Sequence, residues 1–287
     1  LHLGKICYDN LDLYFNKNVI ATINSVEDVE KIISATKKYD RVIRCHVKID
    51  TGLNRMGCKE SDFKYICESI LKNRNLLELE GVYSHLSSST DPDSSSNFDQ
   101  FKKFERAIHS IASYQKINFH ILNSGGLFNY KQYRFDIIRP GISIYGVSPI
   151  GVNNNLKPVM ELKAPVILLK NVLKGETVGY DCTYVAERDM NIAILQCGYA
   201  DGLNKNFEKD SFVFYNGLKF PIIGKVSMDL FAIDCKDFNF KINNEVTIWG
   251  GDSKESRLEE ISSSHGQIPY VYLTNLSNRV KRVYIEE

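Results

Sequence analysis

The first half of the chain alternates short apolar segments with segments of helical periodicity. In SVEDVEKIISAT, for example, apolar residues recur every three or four positions, which indicates an amphipathic helix. Ser25 followed by Asp28 is typical of a helix N-terminus. Alternating strands and helices predict a parallel sheet with right-handed crossovers. Six strand-like segments are expected, at residues 1–3, 19–23, 43–50, 79–86, 119–124 and 136–142.

The second half carries a different pattern, in which strand-like segments dominate. MELKAPVILLKNV, MNIAILQCGY and EVTIWG are examples, and Gly and Asn turns separate such segments. One short helical stretch is expected near 257–264. We therefore expect two domains, a parallel α/β domain at residues 1–150 and a mostly antiparallel β domain at residues 151–287.

Six strands in the first domain are compatible with two architectures. One is an open, doubly wound sheet, and the other is a (β/α)8 barrel, which needs eight strands. No glycine-rich dinucleotide loop follows the first strand, which favours the barrel. The chain also begins with Leu1 rather than Met. The predicted fold is therefore an N-terminally truncated (β/α)8 TIM barrel followed by a mostly antiparallel β domain.

Composition narrows the classes of partner. The 287 residues include 36 Lys and Arg against 35 Asp and Glu, so a net charge of +1 offers no basic patch for nucleic acid. No apolar run reaches the roughly 18 residues that a membrane span needs, and we expect no membrane segment. The seven cysteines form no C-x-x-C pair, which favours free thiols in a reducing cytoplasm over disulfides or a zinc site.

Polar residues stand at the ends of consecutive predicted strands, where parallel barrels build their active sites. Each alone could be structural, but four in succession favour a site. Ser124 and the backbone around Gly141 would form a phosphate cradle, and Arg139 could bind a heteroaromatic nitrogen or a carboxylate. A phosphorylated heterocycle is therefore the expected ligand class. The strand-end residues are Lys48, His85, Ser124 and Arg139.

Longer motifs run along the whole chain in a recognisable order. They are VKIDTGLNRMG, YSHLSS, NSGG, DIIRPGISIYG, LKPVMELKAPV, GETVGYDCTY, CGYADG, IIGKVSMD and IPYVYLTNLSNRVKRVY. With these motifs the chain resembles the alanine racemases, fold-type III enzymes that use pyridoxal 5′-phosphate. The resemblance implies a (β/α)8 barrel followed by a β domain, in agreement with the hydrophobic pattern.

The resemblance also implies roles around this cofactor. Arg139 would donate to its pyridine nitrogen, and His85 would support Arg139. No metal is implied. The phosphate would be held by Ser124, Gly141, Ile142 and Tyr270.

For the substrate, the resemblance implies a base and a carboxylate site. Tyr180 would remove the α-proton of the L-enantiomer, although packing in the β domain is its structural alternative. Arg55 and the backbone of Met228 would hold the substrate carboxylate, and Tyr199 would line the entrance. In this family Tyr180 and Met228 come from the partner subunit, so the resemblance implies a homodimer with shared active sites.

Lys48 is the lysine at a predicted strand end, but the resemblance gives it a supporting role. It matches a position that is commonly carbamylated, and an N6-carboxylysine there would bind and orient Arg55. The family's Schiff-base lysine lies on the first barrel strand, and no segment of this chain matches that strand. We therefore expect a fragment of an active parent that is itself inactive.

The function implied is the interconversion of L-alanine and D-alanine by a two-base mechanism, with pyridoxal 5′-phosphate as cofactor. The product would supply D-alanine for bacterial peptidoglycan, in the cytoplasm. Two alternatives remain open at this point. One is a serine racemase of the same family, and the other is a catalytically dead homologue that binds the cofactor or is purely structural.

Overall fold

The computed structural model describes residues 1–36, 41–113, 116–153, 155–204, 207, 210–251 and 253–285. The chain divides into two compact units, an N-terminal unit Leu1–Gly141 and a C-terminal unit Ile142–Glu287. In the part of the chain that is described, no helix is both long and apolar enough to cross a membrane.

The N-terminal unit is a parallel sheet with helices between its strands, as predicted. The four strands are neighbours in sequence order and are parallel throughout. They are β1 (Ala21–Ile23), β2 (Ile43–Lys48), β3 (Leu77–Tyr83) and β4 (Asn118–His120). The helices are α1 (Asp12–Asn16), α2 (Val26–Thr36), α3 (Glu60–Lys72), α4 (Ser95–Ser110) and α5 (Ser124–Asn129).

Two of the six predicted strands are wrong as regular strands. Residues 1–3 contribute a backbone hydrogen bond from His2 to the Ile20 carbonyl but form no ladder. Residues 136–142 form a single parallel bridge between Asn123 and Arg139. The ladder cannot continue there because Pro140 has no N–H to donate.

The two faces of the sheet differ in polarity. Cys45 and Val47 of β2 are fully buried in the hydrophobic core, together with aromatic and aliphatic residues of the helices. His46 and Lys48 alternate with them and therefore lie on the opposite face. That face carries polar and aromatic side chains, namely Thr22, His46, Lys48, Tyr83 and His120. The candidate site is built on this polar face.

The C-terminal unit is centred on a closed antiparallel barrel of six strands, which confirms the predicted antiparallel β domain. Phe220, Ile233 and Trp249 fill its core. Its strands, in barrel order, are β10 (Leu218–Ile223), β11 (Phe231–Asp234), β8 (Met190–Leu195), β5 (Glu161–Val172), β12 (Glu245–Gly250) and β9 (Phe212–Tyr215).

Smaller elements complete the C-terminal unit. The strands β6 (Thr177–Val178) and β7 (Tyr184–Val185) form a two-stranded ribbon. Helix α6 (Leu258–Ser264) coincides with the helical stretch expected near 257–264, and α7 (Pro269–Asn275) was not predicted. All seven cysteines of the chain are free thiols, and five of them are buried, which confirms the expectation of free thiols.

Candidate active site

The loop after β2 folds back over the end of its strand. The Cys58 N–H donates to the Lys48 carbonyl at 2.8 Å, and the Asp50 N–H donates to the Cys58 carbonyl at 2.9 Å. Gly57 has a φ of +122°, and a Cβ there would lie 2.7 Å from the Asp50 nitrogen. The loop is therefore closed tightly at its base, and Arg55 lies within it, exposed to solvent.

Asp50 shapes this loop. Its carboxylate accepts hydrogen bonds from the Gly52 N–H at 2.9 Å and the Asn54 N–H at 3.1 Å. Thr51 is buried, and its hydroxyl lies 2.7 Å from that of Ser84. The loop that presents Arg55 is thus fixed by its own side chains.

Lys48 lies under this loop with its side chain withdrawn from water. The residue is 4% exposed, and its Nζ lies 5.6 Å from the centroid of the Tyr83 ring. Burial lowers the pKa of the Lys48 amine, and the positive charges of Arg55 and Arg139 lower it further. The neutral amine is therefore favoured here more than at the surface. Carbamylation of Lys48 stays a prediction.

Arg139 contacts several groups of the polar face. Its Nη1 lies 2.5 Å from His120 Nδ1, and its Nη2 donates to the Ser84 carbonyl at 2.7 Å. Its guanidinium carbon lies 5.0 Å from the centroid of the Tyr83 ring. Burial lowers the pKa of Arg139 to about 10, so the guanidinium remains a cation at neutral pH. The predicted partner His85 lies farther away, with Nδ1 3.5 Å from Nη2.

A second histidine extends the contact between Arg139 and His120. Because arginine can only donate, His120 Nδ1 accepts, and the His120 proton lies on Nε2. That nitrogen lies 2.8 Å from Nδ1 of His46 and donates to it. Burial is the main cause that lowers the pKa of His46 to about 4 and that of His120 to about 2, so both rings are neutral.

Gly81 makes room for this arrangement. It is the partner of His46 in the register of β2 and β3, and a Cβ at this position would lie 2.6 Å from the His46 ring. The histidine therefore fits because the neighbouring strand carries no side chain at that point.

His85 is also neutral, for electrostatic as well as solvation reasons. Burial lowers its pKa to about 4, helped by the cations Arg139, Arg55 and Lys48. A neutral imidazole has one acceptor nitrogen, so His85 can accept from Arg139 or from the Asn123 amide, 3.4 Å away, but not from both.

The segment after β4 brings Ser124 and Gly141 together. The Asn123 side chain caps α5 by accepting from the Gly126 N–H at 3.0 Å. The Gly141 N–H donates to the Ser124 hydroxyl at 2.9 Å. A Cβ on Gly141 would find no heavy atom within 4 Å, so open space adjoins its backbone. A hydroxyl and a glycine backbone next to open space are suited to binding an oxyanion. Arg139, two residues before Gly141, is suited to donating a hydrogen bond to a ring nitrogen. These residues therefore fit a phosphorylated pyridine.

Tyr180 lies on a short 3₁₀ turn, Tyr180–Cys182, in the C-terminal unit and is 68% exposed. The two residues after it both have positive φ, which turns the chain sharply after the tyrosine. Asp181 pairs with Lys225 at 2.7 Å. Among the residues that the structure describes, the Tyr180 hydroxyl has no hydrogen-bond partner.

Met228 and Tyr199 lie on two adjacent segments of the same unit. The Ala200 N–H donates to the Met228 carbonyl at 3.0 Å, and a Cβ on Gly198 would lie 2.2 Å from that carbonyl oxygen. The carbonyl is thus engaged, and a carboxylate would have to bind through the Met228 N–H. Arg279 ties the segments together through carboxylates on each of them, Asp229 at 2.5 Å and Asp201 at 3.6 Å.

The other two predicted phosphate ligands are also in the C-terminal unit. Ile142 begins the 3₁₀ turn Ile142–Tyr145 and is buried. Tyr270 lies in the first turn of α7, after Pro269, and is 43% exposed. Burial of part of the ring raises the pKa of Tyr270, so its hydroxyl remains a donor at neutral pH.

Comparison with protein families identifies both halves of the chain. Residues 1–149 match the N-terminal domain of alanine racemase, and residues 159–284 match its C-terminal domain. The chain belongs to the alanine racemase family. Its similarity to alanine racemases extends along 98% of its length, as the following relatives show.

The chain is 35% identical to the alanine racemase of Rickettsia bellii, with 98% of this chain and 68% of that protein covered. It is also 35% identical to the enzyme of Rickettsia canadensis, where the shares are 98% and 76%. The alanine racemase of Bartonella henselae with covalently bound pyridoxal phosphate superposes with a TM-score of 0.85 at 28% identity, covering 98% of this chain and 77% of that chain. For the alanine racemase of Streptomyces coelicolor the TM-score is 0.90 at 27% identity, with shares of 100% and 77%.

The predicted site residues fall into two groups, one in each unit. In the N-terminal unit, Arg139 lies near His85, and Ser124 lies near Gly141. The C-terminal unit holds Ile142, Tyr180 and Tyr270, and it places Met228 beside Tyr199. Sequence reasoning missed His46, His120 and Arg279. His46 could have been found, since a residue two positions before Lys48 on a strand lies on the same face.

Proposed function

We propose that the chain is part of an alanine racemase that interconverts L-alanine and D-alanine with pyridoxal 5′-phosphate. The observation that carries the proposal is the half-buried Arg139 guanidinium, which is held by His120 and the Ser84 carbonyl where the strands of the N-terminal sheet end. The product would serve peptidoglycan synthesis in the bacterial cytoplasm.

Arg139 would bind the pyridine nitrogen of the cofactor. A guanidinium with a pKa near 10 donates a hydrogen bond at neutral pH and gives up no proton, so the ring nitrogen would stay unprotonated. His85 would stand beside Arg139. The phosphate would be held by Ser124, Gly141, Ile142 and Tyr270. When bound, pyridoxal phosphate supplies the delocalisation of the charge that develops at the substrate Cα.

Arg55 and the Met228 N–H would bind the substrate carboxylate, and Tyr180 would take the α-proton of L-alanine. A tyrosine with an ordinary pKa of about 10 needs a nearby cation to act as a base at neutral pH. In the family this tyrosine works in the partner subunit's site. We therefore propose a homodimer in which Tyr180 and Met228 complete the partner's site and Tyr199 lines the entrance. The high exposure of Tyr180 in a single chain supports this arrangement.

No segment of this sequence matches the strand that carries the family's covalent lysine. We therefore propose that the chain itself holds the cofactor by non-covalent contacts alone. Racemisation by this chain is expected only if another amine takes the role of that lysine.

Cofactor binding tests the proposal most directly. Isothermal titration calorimetry of the chain with pyridoxal 5′-phosphate should show saturable binding, and binding of pyridoxal, which lacks the phosphate, should be weaker. Arg139→Gln should weaken binding of both compounds because both carry the pyridine ring. Arg106→Gln is the matched control, since this arginine is exposed on α4 and pairs with Glu60. Equal affinity of the wild-type and Arg139→Gln chains would contradict the proposal.

Exchange of the substrate α-proton for deuterium tests whether Tyr180 is the base. In D₂O, with pyridoxal 5′-phosphate and methylamine added, NMR should show loss of the L-alanine α-proton in the presence of the chain. Tyr180→Phe should abolish this exchange, whereas Tyr184→Phe should leave it intact. Faster exchange with L-serine than with L-alanine would indicate the serine racemase instead. Cofactor binding with no exchange of either amino acid would favour the catalytically dead homologue.

A further inference from the structure

Three side chains form a chain of hydrogen bonds that connects α7 to the rest of the C-terminal unit. The Ser211 hydroxyl lies 2.8 Å from Nε2 of His265, and Nδ1 of His265 lies 2.8 Å from the Tyr272 hydroxyl. Ser211 and Tyr272 are buried. Phe207 packs edge-on against the His265 ring, with the centroids 4.6 Å apart. We call Ser211, His265 and Tyr272 the α7 anchor.

The direction of these hydrogen bonds follows from burial. Burial raises the pKa of Tyr272 to about 12, so this phenol keeps its proton at neutral pH. Among the residues that the structure describes, His265 is the partner of the Tyr272 hydroxyl, so the phenol donates to Nδ1. A neutral imidazole that accepts at Nδ1 carries its proton on Nε2 and donates it to Ser211.

The α7 anchor joins three separate segments. Ser211 immediately precedes β9 of the barrel, His265 immediately follows α6, and Tyr272 lies in the middle of α7. Helix α7 has seven residues, and a helix this short has little stability of its own in water. Its orientation therefore depends on side chains that fix it to the rest of the unit.

Tyr270 and Tyr272 share α7 but point in different directions. Residues two positions apart on an α-helix are separated by roughly 200° around its axis. Tyr272 is 2% exposed, whereas Tyr270 is 43% exposed. A hydrogen bond that fixes the rotation of α7 through Tyr272 thus also fixes where the Tyr270 hydroxyl points.

We infer that the α7 anchor is a positioning device, which sets the direction of the Tyr270 hydroxyl so that it can bind the cofactor phosphate. This inference rests on the proposed function, in which Tyr270 is a phosphate ligand. Tyr272 and His265 themselves are positioning residues with no contact to the phosphate.

The test compares two ligands that differ only in the phosphate. For each variant, titration calorimetry gives the ratio of the Kd for pyridoxal to the Kd for pyridoxal 5′-phosphate. Tyr270→Phe should lower this ratio because it removes the phosphate ligand. Tyr272→Phe removes only the anchor hydroxyl and should lower the ratio about fivefold, as expected for about one hydrogen bond, with the Kd for pyridoxal unchanged.

Tyr184→Phe is the matched control, since its hydroxyl contacts the Met190 sulfur at 3.5 Å and the change in chemistry is the same. The double variant Tyr270→Phe/Tyr272→Phe decides between positioning and general stability. Once the Tyr270 hydroxyl is absent, losing the anchor should lower the ratio no further. The inference would be overturned by a further drop of the Kd ratio in the double variant, or by a Kd ratio of Tyr272→Phe equal to that of the wild type. Neither result would contradict the proposed phosphate site. A wild-type ratio of one would instead overturn the proposed function, and the inference with it.

Discussion

Arg139 illustrates how a single residue can be fixed by groups that the sequence separates widely. Its guanidinium is bound by His120 and by the carbonyl of Ser84, and His120 is bound in turn by His46. Both imidazoles act as neutral groups, and the proton positions follow from the arginine, which can only donate. The orientation of Arg139 thus depends on two histidines that need not touch the cofactor.

We expect His120→Leu to destabilise the protein by about 1–3 kcal/mol, because it leaves a half-buried guanidinium nitrogen and the buried His46 Nδ1 without a partner. His120→Asn should recover part of this loss, since its amide oxygen can accept from Arg139. Urea unfolding measures both values. Equal stability of the two variants would show that the hydrogen bond to Arg139 contributes little.

Lys48 leads to a prediction about carbamylation of a single residue. Its lowered pKa raises the fraction of neutral amine, which is the form that reacts with CO₂, and Arg139 and Arg55 would attract the resulting anion. With ¹³C-labelled bicarbonate, NMR should therefore detect one carbamate signal that Lys48→Gln removes. Lys64→Gln, an exposed lysine of α3, should leave the signal in place. Persistence of the signal in Lys48→Gln would assign it to another amine.

At the scale of secondary structure, the spacing of apolar residues predicted most of the helices and strands but not the residues at which they begin and end. The helix at Ser25 begins as expected, with the Asp28 N–H donating to the Ser25 hydroxyl at 3.2 Å. Helix α7 was missed because its sequence, PYVYLTN, is rich in aromatic and β-branched residues, which are more typical of strands. The pairing of His46 with His120 could not be predicted, because it depends on a shift in register between β2 and β3 and on residues 74 positions apart.

Gly81, inside β3, and Gly141, after the bridge at Arg139, allow a matched comparison of glycine-to-alanine changes. Gly81→Ala should destabilise the sheet, by about 1–3 kcal/mol, because its Cβ would collide with the buried His46 ring. Gly141→Ala should leave the unfolding free energy nearly unchanged, since its Cβ would meet open space. It should nevertheless weaken binding of pyridoxal 5′-phosphate, if the phosphate occupies that space. Equal stability loss in both variants would contradict the steric argument.

For the molecule as a whole, the two units differ in how they respond to acid. In the N-terminal unit, the pKa of His46 and His85 is lowered to about 4 and that of His120 to about 2. In the C-terminal unit, the described histidine is His265, whose pKa is also lowered by burial. An unfolded histidine has a pKa of about 6.5, so the unfolded chain binds more protons below that pH. The contribution of these histidines to the stability of the N-terminal unit is therefore fully present above about pH 6.5 and decreases as the pH falls toward 4 and below.

Acid titration should consequently unfold the N-terminal unit first. The longest helices, α2 to α4, all lie in that unit, so far-ultraviolet circular dichroism reports mainly on it. Trp249 is the single tryptophan of the chain and is 2% exposed in the C-terminal unit, so its fluorescence reports on the barrel. As the pH falls from 7, the loss of helical signal should precede the red shift of Trp249. His109→Gln, which removes an exposed histidine of α4, should leave the helical midpoint in place. A fluorescence change that comes first would contradict the assignment of acid sensitivity to His46, His85 and His120, because all three belong to the N-terminal unit and the barrel belongs to the C-terminal unit.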